Sequence, residues 1–69
     1  MKVKDAEKWL LANGYREVES ASRKYRKFVA VGRSTAWLGK SGAVRMGETV
    51  SASLSMSDAI EARILQAER

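Results

Sequence analysis

The feature that most constrains the fold is the order of the hydrophobic patterns along the chain. Apolar residues have helical spacing near each end, and the segments between them have the alternation of strands. Residues 4–13 are predicted to be the first helix, since apolar residues recur at spacings of three and four, at Val3, Ala6, Trp9 and Leu10. A second helix is predicted to begin near Asp58, with its apolar stripe at Met56, Ile60 and Ile64. We therefore expect one α+β domain over residues 1–69, with a three- or four-stranded antiparallel sheet covered on one face by both helices.

Four segments between the helices have the composition of strands. The clearest is 25–31, which is rich in aromatic and β-branched residues and places Tyr25, Lys27, Val29 and Val31 on one side. The other three are 15–19, 35–38 and 43–46. Residues 49–56 alternate between hydroxyl and apolar side chains, which predicts either an edge strand or an extended segment lying over the sheet.

Small polar residues mark the predicted boundaries. Gly14 is expected to end the first helix in a left-handed conformation, with Tyr15 folding back on the last turn. Residues 39–42 are expected to form a hairpin turn. Ser55 or Ser57 is expected to cap the second helix, because the spacing from Ser55 to Asp58 is that of a capping box.

The absence of cysteine and histidine limits both stability and chemistry. A 69-residue chain without them has no disulfide and no zinc site of the usual kind, so oligomerisation would help it, and a homodimer is one expectation. It also has no imidazole base and no thiol nucleophile, so we expect no enzyme and no cofactor. No segment is long enough to span a membrane, and the polar start predicts a cytoplasmic protein.

The positive charge is concentrated in the middle of the chain. Residues 1–19 carry four bases and four acids, and residues 48–69 carry two bases and four acids. Residues 20–47 carry no acid, and such a block attracts polyanions. Its bases are the predicted phosphate contacts: Arg23, Lys24, Arg26, Lys27, Arg33, Lys40 and Arg45. Tyr25 or Trp37 is predicted to stack on bases, and Trp37 is expected to be the most exposed aromatic residue.

Three other motifs are weaker. Gly39, Lys40 and Ser41 resemble the end of a phosphate-binding P-loop, but Ser34 stands where that pattern needs a glycine. The alternating segment followed by a helix resembles a ribbon-helix-helix repressor, which needs a second helix after the ribbon. Glu17 and Glu19 share a predicted strand face, which makes a metal or acid/base site conceivable.

Two resemblances add to these patterns. The first-half segment Ala6–Tyr15 and the basic strand Ser22–Phe28, with the closing helix, resemble the HicA-type toxins, whose small α-β-β-β-α fold is like that of double-stranded-RNA-binding domains. The catalytic histidine of that family has no counterpart in this chain, so the resemblance implies no nuclease activity. The second-half segment Trp37–Gly47, with the serines that follow, is similar to small uncharacterised proteins of phages and prophages, which implies an accessory phage protein.

The sequence thus predicts non-catalytic binding of RNA or DNA by the basic segment 20–47. The alternative is a protein-binding module, such as a phage-encoded inhibitor of a host protein or a homodimeric domain. In that alternative the uncovered sheet face or the edge at 49–55 contacts an acidic protein surface. A steep dependence of affinity on salt distinguishes the first function from the second.

Overall fold

Five strands and two helices make up the computed structural model, which describes residues 1–68. The elements in chain order are α1 (Val3–Ala12), β1 (Arg16–Val18), β2 (Tyr25–Val29), β3 (Ala36–Gly39), β4 (Val44–Gly47), β5 (Ser53–Ser55) and α2 (Ser57–Ala67). Each strand pairs antiparallel with the next one along the chain, in the order β1-β2-β3-β4-β5. The predicted α+β class is confirmed, and the sheet has five strands where the sequence predicts three or four.

Both helices pack on the same face of the sheet. The register pairs Phe28 with Ala36 and Leu38 with Val44, and these four side chains are fully buried or nearly so. The helices complete this core with Ala6, Leu10 and Ile60. The opposite face, which we call the open face, carries the alternate strand residues: Arg16, Val18, Tyr25, Lys27, Val29, Trp37, Arg45, Ser53 and Ser55.

The first helix ends as its sequence predicts. Gly14 has a φ of +85°, and its backbone N–H donates to the carbonyl of Leu11 at 3.3 Å. The N–H of Tyr15 donates to the carbonyl of Leu10 at 3.0 Å, and this pair of bonds defines a Schellman end. The prediction is confirmed, and the chain passes from this turn directly into β1.

The predicted serine cap of α2 is wrong. The residue before the helix is Met56, and no side chain bonds to the first turn. Ser57 instead accepts a hydrogen bond from the backbone N–H of Val44 at 2.9 Å, and the N–H of Met56 donates to the carbonyl of Val44 at 2.8 Å. These two hydrogen bonds hold the start of α2 against Val44, the first residue of β4.

The alternating segment forms a strand over only three residues. Thr49 accepts a hydrogen bond from the N–H of Ala52 at 3.1 Å, so the chain turns before β5 begins. Within β5 the expected exposure is reversed: Ser53 is buried, and Leu54 is 76% exposed. Pairing with Met46 does place Leu54 on the helix side of the sheet, but neither helix covers this edge strand.

Candidate functional site

The open face carries three positive side chains from three different strands. Lys27 pairs with Trp37 and Trp37 pairs with Arg45, so Lys27 and Arg45 share this face with the indole between them. Arg16 lies opposite Val29 and therefore joins them from the edge strand β1. The strand residues that we assign to the open face include no carboxylate, so its charge is uniformly positive across about 14 Å, the width of three strand spacings.

Trp37 occupies the centre of this face but is not exposed, which contradicts the expectation that it is the most accessible aromatic residue. Its side chain is only 8% exposed, and its indole Nε1 donates to the carbonyl of Gly47 at 3.1 Å. The ammonium of Lys27 lies 5.6 Å from the ring centroid, a cation–π distance. The indole therefore forms the floor beneath the cations, and its polar edge is already bonded.

Arg45 is held in one orientation by the last strand. Its Nε donates to the hydroxyl of Ser53 at 2.8 Å, and its Nη2 donates to the carbonyl of the same residue at 2.7 Å. Neither partner is a carboxylate, so the guanidinium is positioned without being neutralised. This contact also explains why a serine is buried at a position where the sequence pattern predicts a solvent-facing one.

A second group of cations lies at the end of the sheet where β1 turns into β2 and β3 turns into β4. Arg23 and Lys24 are exposed in the first of these loops, and Lys40 is exposed in the second. Between them lies a cavity of about 570 Å³, whose lining includes Tyr25. The hairpin is fixed by Gly42, whose N–H donates to the carbonyl of Gly39 at 3.1 Å and whose φ is +90°.

Serine side chains order the loop that carries Arg23 and Lys24. The hydroxyl of Ser22 accepts hydrogen bonds from the backbone N–H groups of Lys24 and Tyr25, each at 3.2 Å. Ser20 donates to the carbonyl of Tyr25 at 3.0 Å and accepts from the N–H of Ser22 at 3.1 Å. The N–H and the carbonyl of Tyr25 are thus both bonded to serine hydroxyls where β2 begins.

Arg26 also lines the cavity beside Tyr25, but its charge is neutralised. It lies on the helix side of the sheet, where its guanidinium forms two hydrogen bonds of 2.8 Å to the carboxylate of Glu17 and an ion pair of 2.7 Å with Glu7. The bond to Arg26 lowers the pKa of Glu17, and both carboxylates raise the pKa of Arg26. Within residues 1–68, Arg26 is the only Lys or Arg side chain within 4 Å of a carboxylate oxygen.

Arg33 is separated from the other predicted contacts. It lies in the loop between β2 and β3, at the far end of the sheet from Lys24 and Lys40. There it borders a cavity of about 400 Å³ whose other lining residues include Trp9 and Leu54. The predicted site is therefore divided, with Tyr25 and six of its eight other members on or beside the open face, one member on the helix side and one at the far end.

One member of the basic surface, Arg16, was missed by the sequence reasoning. It belongs to residues 1–19, whose charges cancel, but pairing with β2 brings it onto the open face while Glu17 points to the other side. The signal was present in the alternation of β1, which places Arg16 and Val18 together. The suggested site at Glu17 and Glu19 has no support, since Glu17 binds Arg26 and residues 1–68 contain no group of three or more candidate metal ligands.

No helix within residues 1–68 combines the length and the apolar character needed to cross a membrane. No protein-family model, curated protein or solved structure matches this chain.

Proposed function

We propose that this protein binds nucleic acid without catalysis, through a basic surface made of the open face and the adjoining loop end. The observation that carries the proposal is that, within residues 1–68, unpaired basic side chains of the strands lie on one face of the sheet and the neutralised one lies on the other. Arg16, Lys27 and Arg45 meet on the open face without a carboxylate among its strand residues, and the one basic strand residue on the helix side is neutralised by two carboxylates. A uniformly positive surface of this kind attracts a phosphate backbone.

The distribution of the acids supports the same orientation. Four carboxylates, Asp5, Glu7, Asp58 and Glu61, lie on the two helices, which cover the opposite face of the sheet. A polyanion that approaches from the helix side meets these four carboxylates beside only three helix bases, Lys4, Lys8 and Arg63, whereas one that approaches the open face meets no carboxylate on its strand residues. RNA or DNA in the cytoplasm supplies such a ligand, and the proposal extends to that location.

A protein partner is the second candidate function. The observation that favours it is the exposed edge of β5, where Leu54 is 76% exposed and the strand has no neighbour on one side within the described chain. An edge of this kind can pair with a strand of another protein or of a second copy of this chain. Such a complex would depend weakly on salt and strongly on Leu54.

The salt dependence of binding tests the first function quantitatively. If Arg16, Arg23, Lys24, Lys27, Lys40 and Arg45 each contact a phosphate of a single strand, the logarithmic salt slope is about −4. Affinity then falls about 300-fold between about 50 and 200 mM salt. Fluorescence anisotropy with labelled RNA and DNA, each single-stranded and duplex, measures this slope and identifies the preferred nucleic acid.

A matched pair of variants separates a site from a general effect of charge. Arg16→Gln with Lys27→Gln removes two cations of the open face, and the single-strand slope is expected to decrease to about −2.8, which is about 50-fold over the same range. Lys4→Gln with Lys8→Gln removes the same charge from exposed positions of α1 and is expected to leave the slope unchanged. Equal losses in the two variants, or no binding by the unaltered protein, contradict the proposal.

A further inference from the structure

We propose that the cavity between the two loops at the Lys24 and Lys40 end binds one unpaired nucleotide of a single strand, with the base stacked on Tyr25 and the phosphate contacted by Lys24 and Lys40. This inference rests on the proposed function and narrows its ligand to single-stranded RNA or DNA.

The cavity has the size and the charge that such a ligand needs. Its volume of about 570 Å³ lies in the range of small-molecule sites. Arg23, Lys24 and Lys40 line it, and Arg26 and Glu17, which also line it, are bonded to each other. Glu19 is the remaining carboxylate of the lining, so the positive charges exceed the negative ones.

Tyr25 is the one aromatic side chain that lines this cavity, and its position is fixed. It pairs with Gly39 across the strands, and its ring lies beside that glycine. A Cβ at Gly39 would be 3.3 Å from the ring carbon Cε1. The missing side chain at Gly39 leaves room for the ring beside the neighbouring strand. The ring is half-buried, so it keeps an accessible surface, and the serine bonds described above hold its main chain. A stacking platform with a fixed backbone loses little entropy on binding.

The placement of the helices argues against a duplex as the preferred ligand. Proteins commonly read duplex DNA by inserting a helix or a two-stranded ribbon into the major groove. Here both helices pack on the face opposite Arg16, Lys27 and Arg45, so neither can enter a groove while these three side chains contact phosphates. Single-strand binding needs only a basic surface and an aromatic ring, and both meet at this end of the sheet.

Two variants of Tyr25 distinguish stacking from simple cover of Gly39. Tyr25→Leu keeps an apolar side chain over the glycine without an aromatic ring, and Tyr25→Phe keeps the ring. We expect Tyr25→Leu to lose about ten-fold in affinity for single strands of about 12 nucleotides and to bind blunt duplex as before. Tyr25→Phe is expected to bind both as the unaltered protein does. Anisotropy with oligouridine, oligothymidine and blunt duplexes measures these affinities and separates RNA from DNA.

A crosslinking measurement on the unaltered protein covers the case in which Tyr25→Leu does not fold. A single strand containing 5-bromouracil is irradiated in the complex, and the attached peptide is identified by mass spectrometry. Attachment at Tyr25 supports the inference, and attachment only elsewhere overturns it. Salt-dependent binding with equal affinity for single strands and duplexes, unaltered in Tyr25→Leu, refutes the nucleotide site but not the proposed function. Absence of binding to every nucleic acid refutes both.

Discussion

Replacement of Arg26 by glutamine is expected to destabilise the protein while weakening its nucleic-acid affinity less than Lys27→Gln does. In the sequence this arginine stands within the basic run, beside Lys27. In the structure its guanidinium is bound by Glu7 and Glu17 on the helix side of the sheet, so it is not available to a phosphate on the open face. The variant therefore tests whether Arg26 lies on the helix side of the sheet, away from Lys27 on the open face.

The expected loss of stability follows from the contacts of the guanidinium. Its side chain is 40% exposed, so each ion pair contributes about 0.2–1 kcal/mol, with the bidentate pair to Glu17 at the upper end. The guanidinium also lies 5.4 Å from the ring centroid of Phe28, which adds about 0.5–1 kcal/mol. The sum of about 2–3 kcal/mol corresponds to a melting temperature lower by about 10–20 °C.

This loss has a defined dependence on pH. Because Arg26 holds the pKa of Glu17 below its ordinary value of 4.5, the ionised carboxylate contributes stability above that value. The contribution is lost as the pH falls through the lowered pKa. The difference in melting temperature between the unaltered protein and Arg26→Gln is therefore expected to be full near pH 7 and to shrink below pH 4.5.

Thermal melts followed by circular dichroism, together with anisotropy, measure both effects. Lys8→Gln is the matched control, since it removes the same charge from an exposed position on α1 and is expected to leave the melting temperature unchanged. If Arg26→Gln has the same melting temperature as the unaltered protein and weakens binding as much as Lys27→Gln does, the assignment of Arg26 to the helix side is refuted.

Two further predictions concern the elements that position the site. Gly14→Ala is expected to lower stability by about 1 kcal/mol in chemical denaturation, because φ is +85° there although nothing obstructs a Cβ; an unchanged midpoint would contradict the left-handed end of α1. Ser57→Ala is expected to cost about 1 kcal/mol, since it removes the hydroxyl that accepts from the N–H of Val44, whereas Ser55→Ala at an exposed position should be neutral. Equal midpoints for the two serine variants would show that the bond to Val44 contributes nothing.

Much of the fold could be predicted from the sequence because the burial of an apolar stripe follows from its local period. The positions of Leu10, Phe28 and Ile60 in the core follow from steps of three and four in the helices and from alternation in β2. The left-handed end at Gly14 follows from a preference of a single residue. The restriction of β5 to Ser53–Ser55 does not follow from the sequence, although residues 49–56 alternate. Alternation indicates which residues share a face but not which part of a strand is covered by another element.

The candidate site could be predicted only in part, for a related reason. The concentration of positive charge in residues 20–47 is a property of the sequence, and most of these bases do lie on or beside the open face. Trp37 was predicted to be exposed, and its burial depends on the carbonyl of Gly47 and on Lys27, which strand pairing brings to the ring. The cavity beside Tyr25 likewise depends on two loops that are not adjacent in the chain.

Local sequence is sufficient to specify the order of the elements, the α+β class and the sign of the charge, since each depends on residues that are near one another in the chain. Which charges meet depends on the tertiary packing. Glu7 reaches Arg26 only because α1 packs on the sheet, and Arg16 joins Lys27 only because β1 pairs with β2. An ion pair or a shared surface requires two segments to be close in space, and no local pattern specifies that distance.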